Sequence, residues 1–305
     1  MSSDISPMVF VLLPVHNRRE ITRKFIACLA AQTYPRTQLI VIDDGSIDGT
    51  AAMVVQALPN AVIIKGDGSW WWSGSMQRGY DWLLRHGPGD DDVVLLANDD
   101  IGFEPDFLKR AIDRLAVQPD ALFGARLQGR NNGSPLETGV HANLRRFTFR
   151  TVRPGENIDC LPTRALFLRW STMRRLGGFH PRLLPQYWAD YEYTLRARRL
   201  NLRCVTSGDV SISANMETTG HHDLDALTGG KFLRALFSAK TPLNPIYRTG
   251  FVLLAAPWLW KPVNVVNVWF RAGFRIFWQG LLHLHFPRKA AGGHLPVKQP
   301  EGGQE

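Results

Sequence analysis

Short apolar runs, each cut off by polar residues and separated by helix-length segments, constrain this 305-residue chain more than any other feature. Residues 8–15 (MVFVLLPV), 38–42 (QLIVI), 61–64 (AVII) and 93–96 (VVLL) are too short for buried helices and too uniformly apolar for strands with a wet face. They read as strands of a parallel sheet covered on both sides. Between the first two, Ile21, Phe25, Cys28 and Leu29 recur at helical spacing, and the Tyr34-Pro35 turn stops that helix. Asp48-Gly49-Thr50 opens a second helix, through about Leu58. The alternation predicts an α/β fold with right-handed crossovers. Ligands of such sheets bind beyond the carboxyl ends of the strands. His16-Asn17, Asp43-Asp44 and Asp99-Asp100 all stand there, so three polar clusters are expected to converge on one crevice.

Several classes drop out. The segment after the first strand, PVHNRRE, has no glycine, and no GxxxxGK[ST] sequence is present, which removes a dinucleotide fingerprint and a P-loop. Three scattered cysteines (Cys28, Cys160, Cys204) make neither a disulfide framework nor a zinc ribbon and suit a reducing compartment. The N-terminus lacks a basic segment before its apolar run, unlike a signal peptide.

The acidic pairs invite chemistry. A carboxylate beside a nucleobase can accept its N–H, and a carboxylate pair can hold a hard divalent cation whose other ligands come from phosphate. Asp also caps helices and closes turns, but two pairs in register on alternating strands favour a site. The segment from Gly66 to Gly79 adds Trp70-Trp71-Trp72. No regular element buries three consecutive tryptophans, so at least one is expected to face a cavity or a partner. Ser73, Gly74 and Ser75 allow close backbone approach to a ligand.

Four segments occur in a fixed order: Leu13-Pro14-Val15-His16-Asn17-Arg18, then VIDDGSIDGT from Val41 to Thr50, then Asn98-Asp99-Asp100-Ile101 with Pro105-Asp106. Last come Gly177-Gly178-Phe179 and Trp188-Ala189-Asp190-Tyr191-Glu192. In this order, over about residues 7–222, the chain resembles family-2 glycosyltransferases of the GT-A fold, and within them a rhamnosyltransferase-like branch. The resemblance implies roles. Pro14, His16 and Asn17 would border a nucleoside and Asp44 would accept from its base. Asp100 would hold Mg²⁺ or Mn²⁺, with Asp99 nearer the ribose. Gly74 and Arg78 would frame the nucleotide-sugar, with Arg78 on the diphosphate or sugar. Trp71, Trp72 and Trp188 would stack on donor or acceptor sugars. Asp190 matches the general base of inverting members. Ala189 departs from the family, which often has an acid there, and Glu192 is the alternative base unless it pairs with Arg196 on its own helix. Either His221 or His222 would complete the metal site.

The net charge of +9 is not spread evenly. Residues 1–225 hold 26 Lys and Arg against 25 Asp and Glu, whereas residues 226–300 hold 10 Lys and Arg and no acid. Phe251–Phe270 contains one charge, but Pro257, Pro262, Asn264 and Asn267 interrupt it as a membrane span. Farther on, Asn267, Arg271, Arg275, Gln279 and His283 recur every four residues among large apolar side chains, the pattern of an amphipathic helix lying in an anionic membrane surface. Packing on the body or in a homodimer is the alternative. Basic residues spaced among aliphatics do not suit nucleic acid.

The expected organisation is a catalytic domain over 1–225 (donor half about 1–120, acceptor half about 121–225), a basic amphipathic helical region over 226–290 and a flexible tail over 291–305. The expected activity is inverting, metal-dependent transfer from a nucleoside-diphosphate sugar to a glycan or lipid-linked acceptor. It would take place at the cytoplasmic face of the cell membrane, in polysaccharide assembly. The rivals are a nucleotidyltransferase, which would need a glycine-rich triphosphate loop after the first strand, and a non-catalytic membrane-associated protein, which would leave the aspartates without a purpose.

Overall fold

In the computed structural model, residues 6–128, 135–137, 139–153, 155–214, 224, 227 and 229–285 are described. The first half alternates as expected: β1 (Val9–Val15), α1 (Arg19–Ala30), β2 (Thr37–Asp43), α2 (Thr50–Ala57), β3 (Val62–Lys65), α3 (Trp71–His86) and β4 (Val93–Ala97). A two-residue β5 (Ile101–Gly102) and α4 (Phe107–Val117) follow. Then come β6 (Leu122–Gln128), β7 (Pro135–Glu137), β8 (Val140–Asn143), β9 (Thr148–Thr151), β10 (Ala165–Arg169), α5 (Trp170–Leu176), α6 (Ala189–Arg199) and β11 (Cys204–Ala214). The helices α7 (Gly229–Leu236), α8 (Pro245–Ala255) and α9 (Lys261–His285) close the described chain.

One sheet runs in the order β3-β2-β1-β4-β10-β6-β11-β5, with β7 added on β6, and β8–β9 form a separate hairpin. The strands β3, β2, β1 and β4 are mutually parallel, β10 is inserted antiparallel between β4 and β6, and β11 again runs parallel to β6. Both faces of β1 are buried, because Val9, Val11, Leu13 and Val15 pack under α1, α2 and α4 while Leu12 packs under α3. That two-sided burial is why the strand carries no polar alternation. On the α3 side, a Cβ on Gly79 would lie 3.0 Å from Leu12 Cδ1, so glycine lets this helix sit close on the sheet.

A third apolar cluster joins β8 and β9 to α6 and α8 through Val140, Phe147, Leu195, Phe251 and Val252. The C-terminal region is helical, as expected, and its 240–256 segment packs on the body. The apolar stretch 251–270 is broken where its prolines stand: α8 ends at Ala255, Trp258–Trp260 make a 3₁₀ turn after Pro257, and α9 starts at Lys261. Among the described residues no helix is long and apolar enough to cross a membrane.

The orientation of α9 is unusual for a helix on a water-soluble surface. The side of it that meets the body mixes polar and small apolar residues: Asn264 is buried and donates from Nδ2 to the Leu144 carbonyl at 2.8 Å, and Val268, Ala272 and Gln279 are buried as well, whereas Arg271 of the expected polar stripe is exposed. Its largest apolar residues turn outward, with Val266 69%, Phe270 71% and Phe277 63% exposed.

Candidate active site

The loops after β1, β2 and β4 meet, as their strand ends require. His16 Nδ1 donates to the Asp44 carbonyl at 2.5 Å, which leaves Nε2 to accept from Asn17 Nδ2 at 3.1 Å. Asn17 adopts a left-handed φ of 50°, donates its N–H to Ser46 Oγ and accepts from the Ile47 N–H at 2.8 Å. These bonds clasp the first two loops together.

Asp44 is buried and tied to the start of α3. Its Oδ1 accepts from the Gly68 N–H at 2.9 Å, and its Oδ2 accepts from the N–H groups of Trp70 and Trp71 at 2.9 and 3.0 Å. A carboxylate there satisfies helix N–H groups that have no partner within the helix. Gly45 (φ +73°) makes the fit possible, since a Cβ on it would lie 2.7 Å from the Gly68 nitrogen.

Asp99 and Asp100 are also buried, and Arg18 reaches both: Nε lies 3.1 Å from Asp99 Oδ1 and Nη2 lies 3.4 Å from Asp100 Oδ2. Thr22 Oγ1 donates to Asp99 Oδ2 at 2.8 Å. Burial pushes the Asp99 carboxyl up to about 6; Arg18 and the Thr22 hydroxyl oppose this shift and the Asp100 charge adds to it.

These groups line a crevice of about 340 Å³ in which Pro14, His16, Arg18, Asp44, Trp71, Asp99 and Asp100 all face the same space. A second cavity, of about 320 Å³, is lined by Asp190, Trp188, Tyr191 and Arg164. The two share a wall of Trp72, Asn98 and Gln186. Hydrogen bonds hold that wall: Trp72 Nε1 donates to Asn98 Oδ1 at 3.1 Å and the Trp72 N–H donates to Gln186 Oε1 at 3.0 Å. Trp71 (φ 57°) and Trp188 (φ 71°) both begin helices in left-handed backbone, uncommon for bulky residues, and both face a cavity. The expectation that at least one of the three tryptophans faces a cavity is met by Trp71 and Trp72.

Other expected positions are placed differently. Gly74 faces inward, where a Cβ would lie 3.1 Å from Trp70 Cβ, and Arg78 lies over the Trp70 ring at 5.0 Å; neither lines either cavity. The turn of α3 that starts at Trp71 points both away from the crevice. Asn17 braces the crevice from behind and does not line it. Glu192 is buried with Oε1 3.1 Å from Arg196 Nε, and it lines neither cavity. Burial raises its pKa and Arg196 counters this. Arg196 in turn donates to the carbonyls of Leu176 and Gly178 at 2.9 and 2.7 Å, so this pair pins the Gly177-Gly178 turn. His221 and His222 lie outside the described residues.

The donor set at Asp99 and Asp100 suits a divalent metal in kind, since both offer hard carboxylate oxygens on the crevice wall. Among the described residues no three His, Cys, Asp or Glu side chains gather. Arg18, Asn98, Gln186 and Lys240 line the crevice without having been singled out. Asn98 adjoins the acidic pair and was within reach of sequence reasoning. Arg18, Gln186 and Lys240 meet the site through contacts far along the chain that no local pattern signals.

Known proteins share this architecture. A probable glucomannan 4-beta-mannosyltransferase 3 of Oryza sativa subsp. japonica is 26% identical over 235 residues, covering 70% of this chain and 41% of the relative. A second rice protein, probable glucomannan 4-beta-mannosyltransferase 9, is 25% identical over 233 residues. The chain thus spans less than half the length of these curated relatives. Among solved structures, the mannosyltransferase PcManGT of Pyrobaculum calidifontis, in complex with GDP-Man and Mn²⁺, superposes with a TM-score of 0.53 at 17% identity, covering 93% of this chain and 82% of that one. Residues 1–349 of S. aureus TarS in complex with UDP give 0.53 at 16%, covering 92% and 75%. These likenesses establish the GT-A fold. The model of glycosyl transferase family 2 matches residues 10–174, more than half of the chain and every strand-end cluster from His16 to Asp100, so the chain belongs to that family.

Proposed function

We propose that the protein is an inverting glycosyltransferase that moves a hexosyl or deoxyhexosyl group, in the manner of the rhamnosyltransferase-like branch, from a nucleoside-diphosphate donor to a hydroxyl of a glycan or lipid-linked acceptor. One observation carries the reading: the Asp44, Asp99 and Asp100 crevice and the Asp190 cavity share one wall. A donor in the first and an acceptor in the second would meet at Trp72, Asn98 and Gln186.

The residues divide the work by position. Pro14 and His16 border the nucleoside, and Asp44 offers carboxylate lone pairs beyond those its backbone bonds use. Asp99 and Asp100 would hold Mn²⁺ or Mg²⁺, which when bound supplies neutralising charge for the leaving diphosphate. Arg18 provides positive charge on the same wall. Asp190, in the first turn of α6, takes the proton from the acceptor hydroxyl as its oxygen attacks the anomeric carbon. The bond from that carbon to the diphosphate oxygen breaks, and the nucleoside diphosphate leaves with the electron pair. Glu192 is committed to Arg196, which leaves Asp190 as the base.

The outward apolar face of α9 supports work at a membrane. Among the described residues, twelve of the twenty-one exposed large apolar side chains fall between Ile246 and Trp278, within a stretch that carries no acid. Such a face lies in the headgroup plane of an anionic leaflet, at the cytoplasmic side where activated sugars are made.

A thermal-shift panel of UDP-, GDP- and dTDP-sugars, with and without Mn²⁺, tests the activity class, because ligands that bind only the native state raise its melting temperature. One donor should stabilise the protein in a Mn²⁺-dependent way, and Asp100→Ala should remove the Mn²⁺ dependence. No response to any nucleotide-sugar would overturn the reading.

A further inference from the structure

A third cavity, of about 750 Å³, lies between α8 and α9. Arg248, Arg271 and Arg275 converge in it, and Phe270, Phe274 and Trp278 form its outer walls. Among the described residues no carboxylate pairs with any of the three arginines, and the lining contains no acid. Arg248 is the innermost. Its guanidinium stacks over Phe147 at 4.9 Å and Trp188 at 5.6 Å, and its Nε is buried without a hydrogen-bond partner. Burial first, and the neighbouring Arg271 and Arg275 charges after it, lower its pKa to about 10. Like charges held close together, with Arg248 half-buried among them, raise the energy of the fold unless an anion joins them.

Two further features say what kind of anion. The walls at the mouth are strongly exposed, Phe270 at 71%, Phe274 at 57% and Trp278 at 53%, and they belong to the outward apolar face of α9. An occupant therefore has a charged end among the arginines and an apolar chain beside the aromatics. The cavity also adjoins the Asp190 cavity: Trp188 lines the latter and carries Arg248 on its ring, and the consecutive residues Pro242 and Leu243 line one each. A concave site with three cations suits a group of two or more negative charges better than the single charge of a bulk phospholipid, which a flat basic surface would hold.

We propose that the cavity of Arg248, Arg271 and Arg275 binds the phosphate or diphosphate that joins a long aliphatic chain to its sugar. It would anchor a lipid-linked acceptor with the sugar directed toward Asp190. The proposal rests on the glycosyltransferase reading for the acceptor's role, but the site itself can be tested separately.

The probe is farnesyl diphosphate, titrated calorimetrically into the full-length protein in EDTA, so that no metal at Asp100 can hold the diphosphate. Binding should weaken at least tenfold in the double variant Arg271→Gln/Arg275→Gln and recover in Arg271→Lys/Arg275→Lys. Inorganic pyrophosphate should bind the wild-type protein at least tenfold more weakly than the farnesyl ester. Phosphatidylglycerol vesicles at equal phosphate concentration should fail to displace it. Equal binding by the wild-type protein and the Gln variant overturns the site, and so does full displacement by phosphatidylglycerol. The Mn²⁺-dependent donor shift is measured on the same protein preparations in EDTA-free buffer. If the Gln variant keeps that shift and loses farnesyl diphosphate, it is folded and the site is supported. If the wild-type protein shows no donor shift while farnesyl diphosphate binding depends on the arginines, the glycosyltransferase reading fails and the anion site stands.

Discussion

At the carboxyl ends of β1, β2 and β4 the buried carboxylates have partners within the fold: Ser46 N–H for Asp43, the α3 N–H groups for Asp44, and Arg18 for Asp99 and Asp100. Between α8 and α9 three arginines face one cavity with no acid among the described residues to meet them. In the first region each acid has at least one partner, but Asp99 and Asp100 share Arg18, so negative charge predominates there. In the second, positive charge predominates, and its outer surface is apolar as well. The difference predicts opposite kinds of ligand: under the proposed function, a nucleotide with a divalent metal for the acidic crevice, and an anion with an apolar surface for the basic helices.

The sharpest way to break this contrast is at the two acidic candidates on α6. Asp190→Asn should keep the donor-induced thermal shift and lose about 10²- to 10⁴-fold in transfer rate, the usual contribution of a positioned base. Glu192→Gln should leave transfer within about tenfold, because its carboxylate is spent on Arg196, and should lower the melting temperature instead. The reverse ranking of rates would make Glu192 the base.

A second test addresses the outward face without touching the arginine cavity. Replacing Trp258, Leu259 and Phe277 together by Ser should reduce co-sedimentation with phosphatidylglycerol vesicles about tenfold or more, since each loses apolar area that would leave water on binding. Unchanged sedimentation, with loss of a dimer in light scattering, would assign the face to self-association. Removing everything after residue 225 would be a poorer test, because Lys240 and Pro242 line the acidic crevice and the Asp190 cavity.

The smallest expected effect concerns Asp99. Its folded pKa of about 6 lies above the unfolded value near 3.8, so the folded state holds the proton longer. Its contribution is therefore most favourable below the unfolded value and is lost as pH rises from about 4 to about 6, by at most about 3 kcal/mol. In metal-free urea titrations, Asp99→Asn should remove this decline. A wild-type and a variant curve of the same slope across that range would show that the carboxyl is not raised.

How much of this was legible beforehand follows from the range of the contacts involved. The order of β1 to β4, the helices between them and the clustering of His16, Asp44, Asp99 and Asp100 follow from periodicity and from residues adjacent in the chain. A parallel sheet covered on both faces demands apolar runs, and such runs end where side chains meet solvent or ligand. The basic, acid-free character of residues 226–300 and the amphipathic repeat of α9 were equally plain.

Tertiary packing alone decided which way these elements face. Arg18 meets Asp99 and Asp100 some eighty residues away, Glu192 turns to Arg196 instead of the cavity, and one helical turn carries Gly74 and Arg78 away from the crevice. The same packing sets Asn264, Val268, Ala272 and Gln279 of α9 against the body, leaves its large apolar residues outside, and brings Arg248 beside Arg271 and Arg275. Periodicity specifies that a helix has two faces, but the surface it packs against selects which of them is buried.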